Sequence, residues 1–333
     1  MFKRFPLSSN PTPFAHCPGL SSNSHVFIKR EDQFGMPFCD SGTAARKVEF
    51  ILPQIADAKV TDVVITDRFG SPFMLHLASQ LTLRGIVVHC FMVTPYQDEY
   101  RWYMSALQIA GANVYGNIPY EEANNMVDVL LRQGKSIYIA KIAGAESPAY
   151  MGGFALYDEL MNDCFNHQIN EARVFVSVNS GVTLAGMLLA RELFEIEGPS
   201  LEKRRTANLS FIGVPEYGEP AQRAEEVLNH YAAFRNLAES HGGFESLPGA
   251  DKPIEFDTAA SPLSRDVLGD TEYNFAKWFY HKSGVLLDPV YGLPTASAMV
   301  DCLDGDGMPV IFINPMWQQY PYYKYDTLLA ATA

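Results

Sequence analysis

The sequence lacks the features of several large classes of protein. Its five cysteines are odd in number, scattered and without a Cys-x-x-Cys pair, which argues against a disulfide framework and against a zinc site. No uninterrupted apolar run approaches the length of a membrane span, and no apolar stretch follows the basic pair near the N-terminus. We therefore expect neither a membrane protein nor a signal peptide, and a cytoplasmic location is predicted.

Positive charge is also scarce. The 333 residues include 25 Lys and Arg against 38 Asp and Glu, so the formal net charge is -13. A nucleic-acid partner is not expected, because neutralising phosphates requires clustered Lys and Arg. An anionic lipid surface would likewise repel this chain. The 47% of apolar residues is typical of a globular protein, and the length suffices for one large or two medium domains.

Short β-branched runs alternate with longer helical stretches along the chain. Residues 63–66 are typical of a buried strand, residues 72–84 of a helix and residues 86–93 of the next strand. The same alternation recurs in the second half of the chain. It indicates an α/β protein with a parallel sheet and crossover helices. The segment Gly242 to Ser264 is rich in Gly, Pro and Asp and is predicted to be a long surface loop or an edge segment.

One loop follows a predicted strand and opens a predicted helix that begins at Leu184. Free backbone N–H groups and the helix dipole favour an anion such as phosphate in that setting. The hydroxyls of Ser180 and Thr183 would add donors, and Gly181 would let the backbone approach closely. The alternative is a plain strand-to-helix turn in which Ser180 or Thr183 only caps the helix. The spacing alone does not decide between the two.

Several segments occur in an order that one enzyme family shares. They are KRED at 29–32, SGTAARKVE at 41–49, Gly70-Ser71 before a helix, SGVTLAGM at 180–187 and LDPVY at 287–291. With these segments the chain resembles, over residues 10 to 320, the family that contains 1-aminocyclopropane-1-carboxylate deaminase and D-cysteine desulfhydrase. Those proteins are fold-type II pyridoxal-phosphate (PLP) enzymes, related to tryptophan synthase β.

The resemblance implies a fold, a cofactor and an activity. It implies an α/β protein with two domains, a large one at 1–50 and 166–333 and a small one at 51–165, each with a mostly parallel twisted sheet covered by helices. It also implies a homodimer that performs elimination or deamination on a small amino acid with PLP. The implied cofactor-binding residues are Asn179, Ser180, Gly181, Val182, Thr183 and Asn314.

Ala44 occupies the position of the family's Schiff-base lysine. The alanine side chain has no amine, so residue 44 cannot hold the cofactor covalently, and the resemblance then implies noncovalent binding. The alanine is either an engineered Lys→Ala substitution or a natural loss, and both explanations stay open. Lys47 lies one turn further on and is not expected to substitute without a register shift. The alternative interpretation of this segment is that Arg46, Lys47 and Glu49 form a solvated face of the helix.

Other positions also depart from the family pattern. Pro72 stands where the family has an asparagine, Gly292 stands where it has Glu or Thr near the pyridine nitrogen, and residues 314–317 replace its HTGG segment. Ser71 aligns with a catalytic serine of the family, and Tyr291 could act as an acid or a base. The alternatives are that Ser71 only caps a helix that begins at a proline and that Tyr291 only packs.

Three functions remain open from the sequence. The first is a lysine-less lyase or deaminase of the PLP type. The second is a PLP-independent homologue with a repurposed pocket, a biosynthetic cyclase or hydrolase that uses Ser71, Glu146 and Tyr291. The third is a non-catalytic pseudoenzyme. The fold cannot choose among them, because function is a property of the site.

Overall fold

The computed structural model describes residues 3–8, 11–35, 42–68, 71–93, 101–116, 118–197, 207–216, 219–240, 256–261, 269–303 and 307–315. The strands within these ranges are β1 (Phe14–His16), β2 (Val26–Arg30), β3 (Asp62–Asp67), β4 (Val87–Met92), β5 (Asn113–Gly116), β6 (Ile137–Ala140), β7 (Glu171–Val178), β8 (Asn208–Pro215), β9 (Asp257–Thr258) and β10 (Val310–Asn314). The helices are α1 (Thr43–Ala58), α2 (Pro72–Thr82), α3 (Arg101–Ile109), α4 (Tyr120–Arg132), α5 (Tyr150–Asn166), α6 (Val182–Glu197), α7 (Pro220–Ser240), α8 (Asp270–Ser283) and α9 (Gly292–Asp301).

The described strands form two sheets. One has six strands in the order β1-β2-β10-β7-β8-β9, and the other has four in the order β5-β4-β3-β6. The pairing of β1 with β2 is antiparallel, and the other described pairings are parallel. The predicted α/β class is therefore confirmed. The strands of the four-stranded sheet all fall within residues 51–165, whereas the domain boundaries themselves stay a prediction.

Two central strands are buried along their whole length and have apolar cores. Every residue of β3 and every residue of β10 is buried. Strands covered by helices on both faces have no solvent side, so their sequences run apolar and β-branched without alternation. This is why VVIT at 63–66 and VIFI at 310–313 are strong strand signals.

The prediction of a solvated face on α1 is wrong. Arg46 is 0% exposed, Lys47 is 8% exposed and Glu49 is 0% exposed. Helix α1 packs against both α2 and α5, which buries the N-terminal half of the helix where these three residues lie. Arg46 is neutralised by Glu31 and Glu159, which lie far away along the chain. A buried charge needs such partners, and sequence periodicity cannot show them.

The segment predicted as a loop or an edge contains a short strand. Asp257 and Thr258 pair with β8 as the outermost strand of the six-stranded sheet; residues 241–255 and 262–268 lie outside the described part of the chain.

None of the described helices is long and apolar enough to cross a membrane. The described residues also contain no cluster of metal ligands, and Cys17, Cys90, Cys164 and Cys302 are free thiols.

Candidate functional site

A cavity of about 550 Å³, including its opening to solvent, lies where strands of both sheets end. Ser71 follows β3, Asn179 follows β7, Glu216 follows β8 and Pro315 follows β10, and all four residues line the cavity. The carboxyl ends of parallel strands are the usual place for a ligand in α/β proteins. The topology therefore brings segments from distant parts of the sequence to one site.

Seven of the nine site residues predicted from the sequence line this cavity. They are Ala44, Ser71, Asn179, Ser180, Gly181, Thr183 and Tyr291. Val182 and Asn314 are not part of the lining; both are buried. Ala44 and Gly181 thus share one cavity, as the resemblance implies. The roles of these residues stay predictions.

The loop before α6 has the features of an anion site. Gly181 has φ +77°, and a Cβ there would lie 2.9 Å from Cγ2 of Val227, so only glycine fits without strain. The Oγ of Ser180 is buried and has no hydrogen-bond partner. Ser180 therefore does not cap α6 in this structure. An orphaned hydroxyl beside a helix N-terminus is a polar arrangement that a phosphate oxygen would satisfy, so the loop fits the phosphate of PLP.

Helix α7 supports this loop through a histidine that sequence reasoning missed. The ring of His230 hydrogen-bonds to the backbone of Ser180, and its Nδ1 lies 3.0 Å from the hydroxyl of Tyr150. Burial, together with the nearby charge of Lys47, lowers the pKa of His230. A neutral ring can accept from Tyr150 and donate to a carbonyl at the same time. His230 therefore holds the anion loop in place.

Ser71 is both a helix cap and part of a polar pair. Its Oγ accepts a hydrogen bond from the N–H of Met74 at 3.3 Å, and Pro72 is the first residue of α2, so the capping prediction is confirmed. The same Oγ donates to Oδ2 of Asp67 at 2.7 Å. The N–H of Ala143 donates to Oδ2 of Asp67 at 2.9 Å. Burial raises the pKa of the Asp67 carboxyl, although these hydrogen bonds oppose it.

Lys47 points toward the same cavity, contrary to the sequence prediction. It belongs to the cavity lining, and its Nζ donates to the carbonyl oxygen of Ala143 at 3.3 Å. Burial lowers the pKa of Lys47 to about 8, while the carboxylates of Glu216 and Asp67 act in the opposite direction. A lysine amine with such a pKa is partly neutral near physiological pH.

The LDPVY segment forms the turn that begins α9. The carboxylate of Asp288 accepts the N–H groups of Tyr291 at 2.7 Å and of Gly292 at 2.6 Å. A Cβ at Gly292 would lie 3.0 Å from Oδ1 of Asn314. Neither the amide nitrogen nor the amide oxygen of Asn314 has a hydrogen-bond partner. Asn314 thus lies against Gly292, the position at which the family carries a polar side chain.

The comparisons with known proteins agree with these observations, although no protein-family profile matches the chain. The chain is 24% identical over 334 residues to the mitochondrial bifunctional D-cysteine desulfhydrase/1-aminocyclopropane-1-carboxylate deaminase of Arabidopsis thaliana, covering 93% of this chain and 77% of that protein. The crystal structure of a 1-aminocyclopropane-1-carboxylate deaminase homologue has a TM-score of 0.79 at 18% identity, covering 99% and 96% of the two chains. An L-serine ammonia-lyase from Rhizomucor miehei has a TM-score of 0.61 at 13% identity, covering 96% and 98%.

The structural likeness extends over nearly the whole chain, and the cavity contains the segments that carry the sequence resemblance. At these identities the solved structures establish the fold, and the sequence match and the motif order add the family resemblance. The resemblance predicted from the sequence is confirmed: the chain has the fold of the fold-type II PLP enzymes and resembles the 1-aminocyclopropane-1-carboxylate deaminase and D-cysteine desulfhydrase family.

Proposed function

We propose that the cavity binds PLP without a covalent bond to residue 44 and that the chain acts as a lyase or deaminase on a small amino acid. The observation that carries this proposal is the buried, unpartnered Oγ of Ser180, which lies at the N-terminal end of α6 in the cavity that also contains Ala44. The names of the relatives, which include a desulfhydrase, a deaminase and an ammonia-lyase, support the reaction class.

The phosphate end of the site fits the cofactor better than the ring end. Backbone N–H groups from Ser180 to Thr183 would hold the phosphate, and one helix N-terminus adds about 0.3–1 kcal/mol. When bound, PLP supplies an aldehyde and a ring that stabilises negative charge at the α-carbon of an amino acid. In this reaction we assign proton transfer to the hydroxyl of Tyr291, which also lines the cavity. Residue 44 moves none, and losing such help costs about 100- to 10,000-fold in rate.

Ser180→Asp tests the phosphate site. A carboxylate beside the helix N-terminus would occupy the anion position and repel the phosphate, so we expect PLP affinity to fall at least about tenfold, or about 1.4 kcal/mol. Titration of the purified protein with PLP, followed by absorbance and by competition with inorganic phosphate, measures this change. Ser22→Asp, on an exposed loop, is the matched control and should leave the affinity unchanged. Unaltered binding in Ser180→Asp would exclude this loop as the phosphate site.

The substrate class can be tested with the amino acids that the relatives' names supply. D-cysteine, 1-aminocyclopropane-1-carboxylate and L-serine are the first three to assay, with sulfide, ammonia and keto-acid release as the readouts.

A homodimer and a cytoplasmic location remain predictions. Size-exclusion chromatography with light scattering measures the oligomeric state.

The hydrogen bond between Ser71 and Asp67 favours a second candidate function. A serine hydroxyl that donates to a buried carboxylate at 2.7 Å can serve as a nucleophile whose proton passes to that carboxylate. The anion loop before α6 would then stabilise negative charge on a substrate oxygen. This arrangement suits a cofactor-independent hydrolase or cyclase.

Asp67→Asn separates the two functions. The amide leaves Ser71 without a proton acceptor, so a cofactor-independent reaction should slow by about 100- to 10,000-fold. The variant should still bind PLP, since Ser180 is unaltered. Esters and lactones of small amino acids are the substrates for the assay. Ser79→Ala is the control, because that hydroxyl bonds to the carbonyl of His76 within α2. Equal rates in Asp67→Asn and in the original protein would reject the serine mechanism.

A further inference from the structure

Lys47 and Ala44 lie on the same side of α1. They are three residues apart, which is close to one helical turn, and both line the cavity. Among the described residues that line it, Lys47 carries the only primary amine. The cavity therefore contains an amine, although the position that the family uses for one holds an alanine.

The surroundings of Lys47 stabilise its charged ammonium form only weakly. Its Nζ donates to the carbonyl oxygen of Ala143 at 3.3 Å, a long hydrogen bond to a neutral acceptor. The charged groups that face it are Asp67 on β3, Glu216 after β8 and, when protonated, His230 on α7.

Both carboxylates near Lys47 accept hydrogen bonds from other groups. Asp67 accepts from the hydroxyl of Ser71, and Oε1 of Glu216 accepts from the hydroxyl of Ser177 at 3.0 Å. These carboxylates offset only part of the lowering of the Lys47 pKa by burial, so that pKa is about 8. Near this pH about half of such amines carry a free lone pair, which is the form that attacks a carbonyl carbon.

We propose that Lys47 forms an imine with the carbonyl group of an anionic ligand whose negative group lies against the Ser180 loop, and so replaces the amine missing at residue 44. This inference rests on the proposed function, because the anionic carbonyl compound that we infer is PLP. The nitrogen lone pair of the neutral amine adds to the carbonyl carbon. The carbon–oxygen bond then breaks, and the oxygen leaves as water with both amine hydrogens. No oxidant or reductant is needed.

Reductive trapping tests the proposal on the full chain. The protein is incubated with PLP at several pH values, reduced with sodium borohydride, digested and mapped by mass spectrometry. We expect the adduct on Lys47 to exceed the adduct on Lys59, an exposed lysine at the end of the same helix, by about tenfold or more. Its yield should rise with pH, with a midpoint at about 8.

Two variants keep the proposal falsifiable if one of them fails to fold. Lys47→Arg keeps a positive charge but has no primary amine, and Lys47→Met removes the charge as well. Both should lose the adduct at residue 47 while they keep PLP binding that inorganic phosphate displaces. Lys59→Arg is the matched control and should leave the Lys47 adduct unchanged.

The outcomes distinguish this inference from the proposed function. Phosphate-sensitive PLP binding with adducts absent, or spread over surface lysines, would overturn the role of Lys47 and leave the proposed function standing. An adduct on Lys47 that pyridoxal forms as well as PLP, without competition by phosphate, would support the amine and count against the phosphate site. Neither binding nor adduct would reject both.

Discussion

Replacing Arg46 by methionine should lower the free energy of unfolding by about 3–5 kcal/mol. The guanidinium donates to Glu31 through Nε at 2.5 Å and Nη2 at 2.8 Å, and to Glu159 through Nη1 and Nη2 at 2.8 Å each. Its carbon atom also lies 4.2 Å from the ring centroid of Phe34. Without the arginine, the buried carboxylate of Glu31 loses its positive partner and carries an uncompensated charge. Urea unfolding with linear extrapolation measures the change.

Two further arginine variants serve as comparisons for this prediction. Arg46→Lys keeps the charge but not the planar fork of donors, so a smaller loss than in Arg46→Met is expected. Arg132→Met alters an exposed arginine at the end of α4 and should change stability by no more than about 0.5 kcal/mol. A loss in Arg46→Met no larger than that in Arg132→Met would contradict the importance of the buried ion pairs.

Ala44→Lys should produce the largest change in activity. Residue 44 is half-buried in the wall of the cavity, so a lysine there can extend into open space. We expect a borohydride-reducible PLP adduct on residue 44 and a rise in turnover of about 100- to 10,000-fold, because a positioned base would be restored. Peptide mapping gives the first result, and the amino-acid assays described above give the second.

Competition between the two positions sharpens this experiment. If Lys47 is the amine that reacts in the original protein, its adduct should decrease when Ala44→Lys supplies a second amine. Ala44→Met has a side chain of similar length without nitrogen, and it controls for filling of the cavity. An adduct on residue 44 without any gain in turnover would show that the ring end of the site, with Pro72 and Gly292, has lost the groups that the reaction needs.

The sequence predicted the central strands of the sheets because these strands are buried on both faces. Strands such as 63–66 and 86–93 are β-branched runs between turn signals, and the structure places them in β3 and β4. The loop before α6 was also predicted, since a glycine between hydroxyl residues at a strand-to-helix turn is a local feature. Its orphaned hydroxyl at Ser180 is not a local feature, because it depends on everything that packs around the loop.

Sequence reasoning did not identify His230, Asp67 or the burial of Lys47. Helix α7, which carries His230, was not predicted, and nothing in its sequence ties that ring to the Ser180 loop. In the sequence, Asp67 is only a polar residue at the end of a predicted strand. Its hydrogen bond to Ser71 depends on the turn between β3 and α2. A signal was available for Lys47: it lies one turn from Ala44, so any ligand near one would be near the other.

The sequence by itself determined the α/β class, the family resemblance and the absence of a side-chain amine at residue 44. These follow from local patterns of burial, turn chemistry and residue identity. The tertiary structure decided which charged residues are buried, which partners neutralise them and which amine reaches the cavity. The physical reason is that the pKa of Lys47 and the pairing of Arg46 depend on groups from β3, α5 and the segments that follow β2 and β8, which become neighbours only when the chain folds.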